Sequence, residues 1–198
     1  MPTVVTLSGS PSSRSRSQGL LNHAATRLAA QGIEIQPFTL ADFPAEALVF
    51  AHFDHPDIQR LHQAVAQADG LVVATPVYKA AYSGALKLLL DLLPERALSH
   101  HAVLPLATGG SNAHMLAVDY ALQPVLAALK ARHIVGGVYG TDQELSWGED
   151  GTLQLASGIA ERLEDVLARF IAHLPNPGRA QLDPHALHDR VRIAAISV

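Results

Sequence analysis

The stretch "TVVTLSGSPSSRSRSQGLL" (residues 3–21) decides how the chain is read. Its opening residues are apolar or β-branched without alternation, which predicts a strand buried on both faces and hence a parallel sheet flanked by helices. Gly9 ends that run. Serines, Pro11 and the arginines Arg14 and Arg16 follow, and apolar character returns at Leu20. Ser15 or Ser17 then caps a helix over 19–32, with Leu20, Leu21, Ala24, Ala25 and Leu28 at helical spacing and Gly32 as the stop.

A loop that feeds a helix N-terminus presents backbone N–H groups beside the positive end of the helix dipole, where anions are favoured. The hydroxyls add donors and an arginine adds fixed charge, a combination suited to phosphate. Neither the G-x-x-x-x-G-K-[ST] loop of the nucleoside triphosphatases nor the dinucleotide G-x-G-x-x-G is present. Hydroxyls in place of those glycines point to a mononucleotide whose phosphate is gripped by side chains. Taken alone, the loop also reads as an ordinary solvent-exposed serine-rich turn with an N-cap.

The rest of the chain repeats the strand-then-helix pattern. "IEIQPFTL" (33–40) alternates as a strand, and its proline assigns it to an edge or an early end. Residues 41–56 read as loop, and 57–70 as a helix with Ile58, Leu61 and Val65 on one face. "GLVVATP" (70–76) is a third buried strand. "GALKLLLDLLP" (84–94) is a helix apolar around most of its circumference, and "AVLPLATGG" (102–110) a fourth strand. Residues 114–132 read as one long helix whose interior Pro124 demands an irregularity. "HIVGGVYG" (133–140) is the fifth strand, and 153–174 a closing amphipathic helix. Five such rounds predict an α/β fold: a doubly wound, five-stranded parallel sheet with helices on both faces.

Composition narrows the function. With 198 residues and 48% hydrophobic content the chain suits one domain with a sizeable core, expected over 1–174, followed by a divergent tail over 175–198. A net charge of -4 argues against nucleic-acid binding. The absence of cysteine excludes disulfides and thiolate chemistry. No apolar run approaches the length of a membrane span, and the N-terminus lacks the layout of a signal peptide, so a cytoplasmic protein is expected. Eleven histidines invite a metal reading, but "HFDH" (52–55) and "HALHD" (185–189) lack a third convergent ligand and read as surface histidines, so no metal is expected.

In a doubly wound sheet, ligands sit beyond the carboxyl ends of the strands. Three loops gather there: "SGSPSSRSRSQ", "TPVYKAAYSG" and "ATGGSNAH". The second offers the flat faces of Tyr78 and Tyr82 after a turn at Pro76 and Val77. The third offers Gly109 and Gly110, which permit positive φ and close backbone approach to a ring edge. Phosphate cradle, aromatic wall and bare glycine turn together fit flavin mononucleotide.

Four segments, "SGSPSSRSRS", "ADGLVVATPVYKAAYSGALKLLLDLLPERAL", "VLPLATGGS" and "HMLAVDYALQPVLAALKA", resemble the NAD(P)H-dependent FMN reductases of the flavodoxin-like superfamily. They are most similar to the reductase component of bacterial alkanesulfonate monooxygenase systems. The likeness runs from about Thr3 to Val138. It implies a flavodoxin-like fold and hydride transfer from NADPH, or NADH, to FMN. It also implies delivery of free reduced FMN to a flavin-dependent monooxygenase for sulfur acquisition, and a homodimer or homotetramer. On the family's motifs, Ser10, Ser15, Arg16, Ser17 and Gln18 match the phosphate loop, and Pro76, Val77, Tyr78 and Lys79 the ribityl and ring-edge segment. Ser83 lies in the same block, and Thr108, Gly109 and Gly110 match the turn beneath the ring. Tyr120 matches an inserted tyrosine that makes a π-bulge in the fourth helix, and no acid–base catalytic residue is implied. The loop departs from the family's usual arginine soon after "GSP", which leaves Arg14 beside Arg16 as the second phosphate candidate. Two other readings stay open: an FMN-retaining quinone, azo or chromate reductase, and a flavodoxin-like electron carrier.

Overall fold

The structure, a computed structural model, describes residues 1–12 and 14–175. The β-branched run at the start forms β1 (Thr3–Ser8), and the serine loop leads into α1 (Arg16–Ala29). Gly32, at φ +76°, closes the helix as expected, and β2 (Glu34–Phe38) follows. Short α2 (Ala45–Val49) and α3 (Pro56–Gln67) then lead to β3 (Gly70–Tyr78). Next come β4 (Ala81–Tyr82), α4 (Gly84–Asp91) and β5 (Ala102–Gly109). The chain continues through a π-helix (Val118–Leu122), α5 (Gln123–Ala128), β6 (His133–Ile134) and β7 (Val138–Thr141). The hairpin β8 (Leu145–Trp147) and β9 (Leu153–Leu155) precedes α6 (Ser157–His173).

The main sheet runs β2-β1-β3-β5, with β6 and β7 both on the outer side of β5, and every one of these pairings is parallel. This is the doubly wound architecture expected from the alternating pattern, because a parallel pair needs a crossover and each helix supplies one. Alternation along the strands divides the core. Leu71 and Val73 face α3, α4 and α5 with Ile58, Leu61, Leu86, Leu89 and Leu126. Val72 and Ala74 face α1 and α6 with Leu20, Leu28, Leu163 and Phe170. A leucine so enclosed contributes about 1.5–3 kcal/mol, so the apolar α4 is held by burial on the sheet. The edge position of β2 suits Pro37, which lacks the N–H that a central strand would need.

Four sequence expectations are corrected. The fifth strand is split: between the paired Val103/Ile134 and Leu106/Val138, β5 spends two residues and its neighbour three. The extra residue makes a bulge opposite Pro105, which has no ladder N–H to give. The single helix over 114–132 is instead a π-helix followed by α5, since Pro124 removes the N–H that an α-helical Tyr120 carbonyl would accept from. The start of the expected helix over 153–174 is β9, paired antiparallel to β8. The loop over 41–56 contains α2.

The domain boundary drawn at 174 falls at the end of α6. The expected tail over 175–198 lies, apart from Pro175, outside the described residues, as does "HALHD". In "HFDH", His55 caps α3 by accepting from the Asp57 N–H at 3.3 Å, and His52 stacks on Phe50. Among the described residues no helix is long and apolar enough to cross a membrane.

Candidate active site

The carboxyl ends of β1, β3, β5 and β7 form one rim. At the first, Ser15 is the N-cap of α1 and its hydroxyl accepts from the Gln18 N–H at 3.1 Å. Ser15 and Ser17 share a hydroxyl contact of 3.1 Å, and Ser17 is fully buried. The Ser10 hydroxyl accepts from the Ser12 N–H at 3.1 Å and donates to its carbonyl at 3.0 Å. The Gln18 amide turns along the helix to Asn22. No acidic residue lies in the first turn of α1. Hydroxyls, helix N–H groups and a guanidinium, with no carboxylate in that turn, form a donor set that fits a phosphate monoester.

The two arginines are held by the opposite end of the rim. Arg16 Nε donates to the Leu145 carbonyl at 3.0 Å, and its Nη1 lies 3.1 Å from Asp142 Oδ1. Arg14 sits over the Trp147 ring, 6.0 Å from its centroid. All three contacts come from the segment after β7, which sequence reading left without a role.

The second loop is tied to the first. The Gly9 N–H donates to the Ala74 carbonyl at 2.8 Å. The Ser83 hydroxyl donates to the Gly9 carbonyl at 2.5 Å and accepts the Leu86 N–H at 3.1 Å, so one buried side chain caps α4 and latches the serine loop. Thr75 Oγ1 accepts the Ser83 N–H at 2.9 Å. Beyond Val77, β3 turns back through Lys79 and Ala80, both left-handed at φ 51° and 64°, and β4 pairs Tyr82 with Val77. Non-glycine residues enter that region at a cost of about 1–2 kcal/mol each, so the surrounding structure must impose the turn. Tyr78 is exposed.

The third loop joins the second through the sheet: Pro76 and Thr108 are register partners. Gly109 is needed for a reason other than the one expected. Neither it nor Gly110 has positive φ. A Cβ at Gly109 would instead overlap the Tyr139 hydroxyl and come within 3.2 Å of its Cζ and 3.5 Å of Val77 Cβ. That hydroxyl donates to the Ser111 carbonyl at 2.7 Å, pinning the turn. Burial, then the charges of Asp142 and Glu144, push the Tyr139 phenol above its ordinary pKa, so it stays a donor.

The structure thus brings Ser10, Ser15, Arg16, Ser17, Pro76, Val77, Tyr78, Lys79, Ser83, Thr108, Gly109 and Gly110 to one rim. Tyr120 stands on the π-helix, 78% exposed, and that helix packs against β4 beside the second loop. The residues missed from sequence are Thr75, Tyr139, Asp142 and Trp147. Tyr139, Asp142 and Trp147 act through contacts distant in sequence and Thr75 through Ser83 eight positions on, and only the "DG" turn at 150–151, where Gly151 has φ +77°, marks the hairpin that carries Trp147.

A family model described as NADPH-dependent FMN reductase matches residues 2–145. The chain belongs to the NADPH-dependent FMN reductase family. An FMN reductase (NADPH) of Pseudomonas putida is 52% identical over 98% of this chain and 99% of that protein. Among solved structures, the apo form of an NADH:FMN oxidoreductase is 34% identical at a TM-score of 0.80, covering 90% of this chain and 92% of that one. A flavodoxin of Streptococcus pneumoniae, 13% identical at a TM-score of 0.61 and covering 88% and 100%, shares the fold. As a member of the FMN reductase family the protein is an oxidoreductase, with FMN and a reduced nicotinamide nucleotide as its ligands. The flavodoxin-like fold and the family expected from the sequence are both borne out.

Proposed function

We propose that the protein binds FMN across the rim, reduces it with NADPH and releases the reduced flavin to a separate flavin-dependent monooxygenase of the alkanesulfonate type, serving sulfur acquisition. The observation that carries this reading is the Ser83 latch, which holds the β3–α4 loop and the serine loop as one unit. Family membership supports the reaction, and the resemblance of the four segments to sulfonate-linked reductases supports the partner.

FMN, when bound, supplies the ring nitrogen that accepts hydride from the nicotinamide. The chain's part is alignment, because two rings held in contact need no side chain to move the hydride. Ser10, Ser15, Arg16 and Ser17 hold the phosphate, while Gln18, its N–H on Ser15 and its amide on Asn22, stands in the same helix turn. Pro76, Val77, Tyr78, Lys79 and Ser83 shape the ribityl and ring-edge wall, and Thr108, Gly109 and Gly110 form the turn beneath the ring, with backbone N–H groups as fixed donors. Residues 1–174 form the reductase domain, working in the cytoplasm. Tyr78, Met115, Leu116 and Tyr120 expose apolar surface beside the rim and along the π-helix, which supports assembly as a homodimer or homotetramer.

The test is a coupled assay: the protein with NADPH, FMN and a purified alkanesulfonate monooxygenase should release sulfite, and gel filtration should separate flavin from protein. Flavin that stays with the protein, with no sulfite released, would establish an FMN-retaining reductase or electron carrier instead.

A further inference from the structure

Asp142 places a carboxylate against one of the guanidinium groups offered to the flavin phosphate. It follows β7 in a turn closed by the Glu144 N–H donating to the Thr141 carbonyl at 3.1 Å. That turn is braced twice. Glu144 Oε2 accepts from the Thr141 N–H at 3.0 Å and from its hydroxyl at 2.9 Å, while Oε1 accepts from Arg162 Nη2 at 2.6 Å. The Asp142 carboxylate is therefore presented by a fixed backbone, 3.1 Å from Arg16. The Leu145 carbonyl takes Arg16 Nε, and Nη2 makes no hydrogen bond to the described residues. Arg16 is thus oriented by Leu145 and faces the opposite charge of Asp142.

We infer that Asp142 is an affinity-setting residue: it competes with the flavin phosphate for Arg16, and so keeps FMN exchangeable. This rests on the proposed role of Arg16 at the phosphate. A phosphate monoester carries nearly two negative charges, so it gains from Arg16 but is repelled by the carboxylate behind it. The balance favours turnover of flavin over retention, which a reductase that hands its product to another enzyme requires. The field of Asp142 also reaches the third loop, since its Oδ2 lies 4.0 Å from where a Cβ would stand on Gly110.

Asp142→Asn separates charge from geometry, because the amide oxygen can keep the 3.1 Å contact with Arg16 while the negative charge is gone. Dissociation constants for FMN and for riboflavin, which lacks the phosphate, are measured by fluorescence quenching for the wild type, D142N, R16A and the double variant. For D142N the expected result is FMN binding tighter by roughly 2- to 10-fold, the scale of a half-exposed ion pair acting on a dianion. Riboflavin should be unchanged, and the gain should vanish in the R16A background. Weaker FMN binding in D142N, an equal gain for riboflavin, or a gain that persists without Arg16 overturns the competition. FMN affinity unchanged in R16A overturns the phosphate role of Arg16 itself, a separate failure.

Discussion

Ser83 donates its hydroxyl to the Gly9 carbonyl at 2.5 Å, joining residues 74 positions apart and making the end of β1 and the start of α4 one buried unit. The same oxygen accepts the Leu86 N–H. Ser83→Ala removes a helix cap and leaves a buried carbonyl without its donor, so the expected loss is about 1–3 kcal/mol of stability. Urea unfolding measures that loss. Flavin titration of the folded variant should show weaker FMN binding, because the serine loop is no longer held.

Gly109 is set by the Tyr139 hydroxyl above it. Gly109→Ala should weaken both stability and FMN binding, since the added methyl displaces the phenol that pins Ser111. The double variant G109A/Y139F removes the overlapping oxygen and leaves only the 3.2 Å approach to Cζ, so it should recover part of the lost stability. Thermal unfolding of the two variants side by side checks this. No recovery in the double variant would mean that the close approach is not what requires glycine.

The turn at Lys79 and Ala80 holds two left-handed non-glycine residues. Ala80→Gly should raise stability by about 0.5–1 kcal/mol, as relief of the left-handed strain exceeds the added chain entropy of glycine. The midpoint of urea unfolding should rise with its slope unchanged. Loss of stability would show that the turn is unstrained.

Glu144 braces the turn that carries Asp142. Burial by itself would raise its carboxyl, but hydrogen bonds from Thr141 and the charge and hydrogen bond of Arg162 outweigh it and hold the pKa below the ordinary glutamate value. A depressed folded value contributes stability that is complete above the unfolded pKa and is lost as pH falls through the folded one. Wild type should therefore lose this contribution across the acid range below the ordinary glutamate pKa, and E144Q should show a shallower acid slope. Parallel acid slopes for the two would contradict the assignment.

The parallel sheet was legible because residues 3–8, 70–76 and 102–109 are short apolar runs, each followed by a helix pattern. The three rim loops were legible for the same reason: each is continuous in sequence and sits at a strand end. What stayed hidden depends on distant contacts. Arg16 meets Leu145, 129 positions away, and Tyr139 meets Ser111, 28 away, and nothing local to either partner announces the other. Gly109 was picked out as a glycine that permits positive φ, yet its surroundings and not its torsion exclude a side chain. Pro124 signalled an irregular helix, and the π-helical turn that precedes it is what the missing N–H produced. The break in the fifth strand falls at Gly136 and Gly137 inside "HIVGGVYG", a glycine pair that marks a bulge but whose position opposite Pro105 depends on the pairing with β5.

In the proposed function, the serine and arginine loop at the start of α1 grips the flavin by its phosphate, and the roles of the other rim residues depend on that grip. Isothermal titration of the wild-type protein with FMN and with riboflavin tests it most directly. A phosphate held by charge-assisted hydrogen bonds should make FMN bind at least roughly tenfold tighter than riboflavin. Equal affinities for the two would contradict the account.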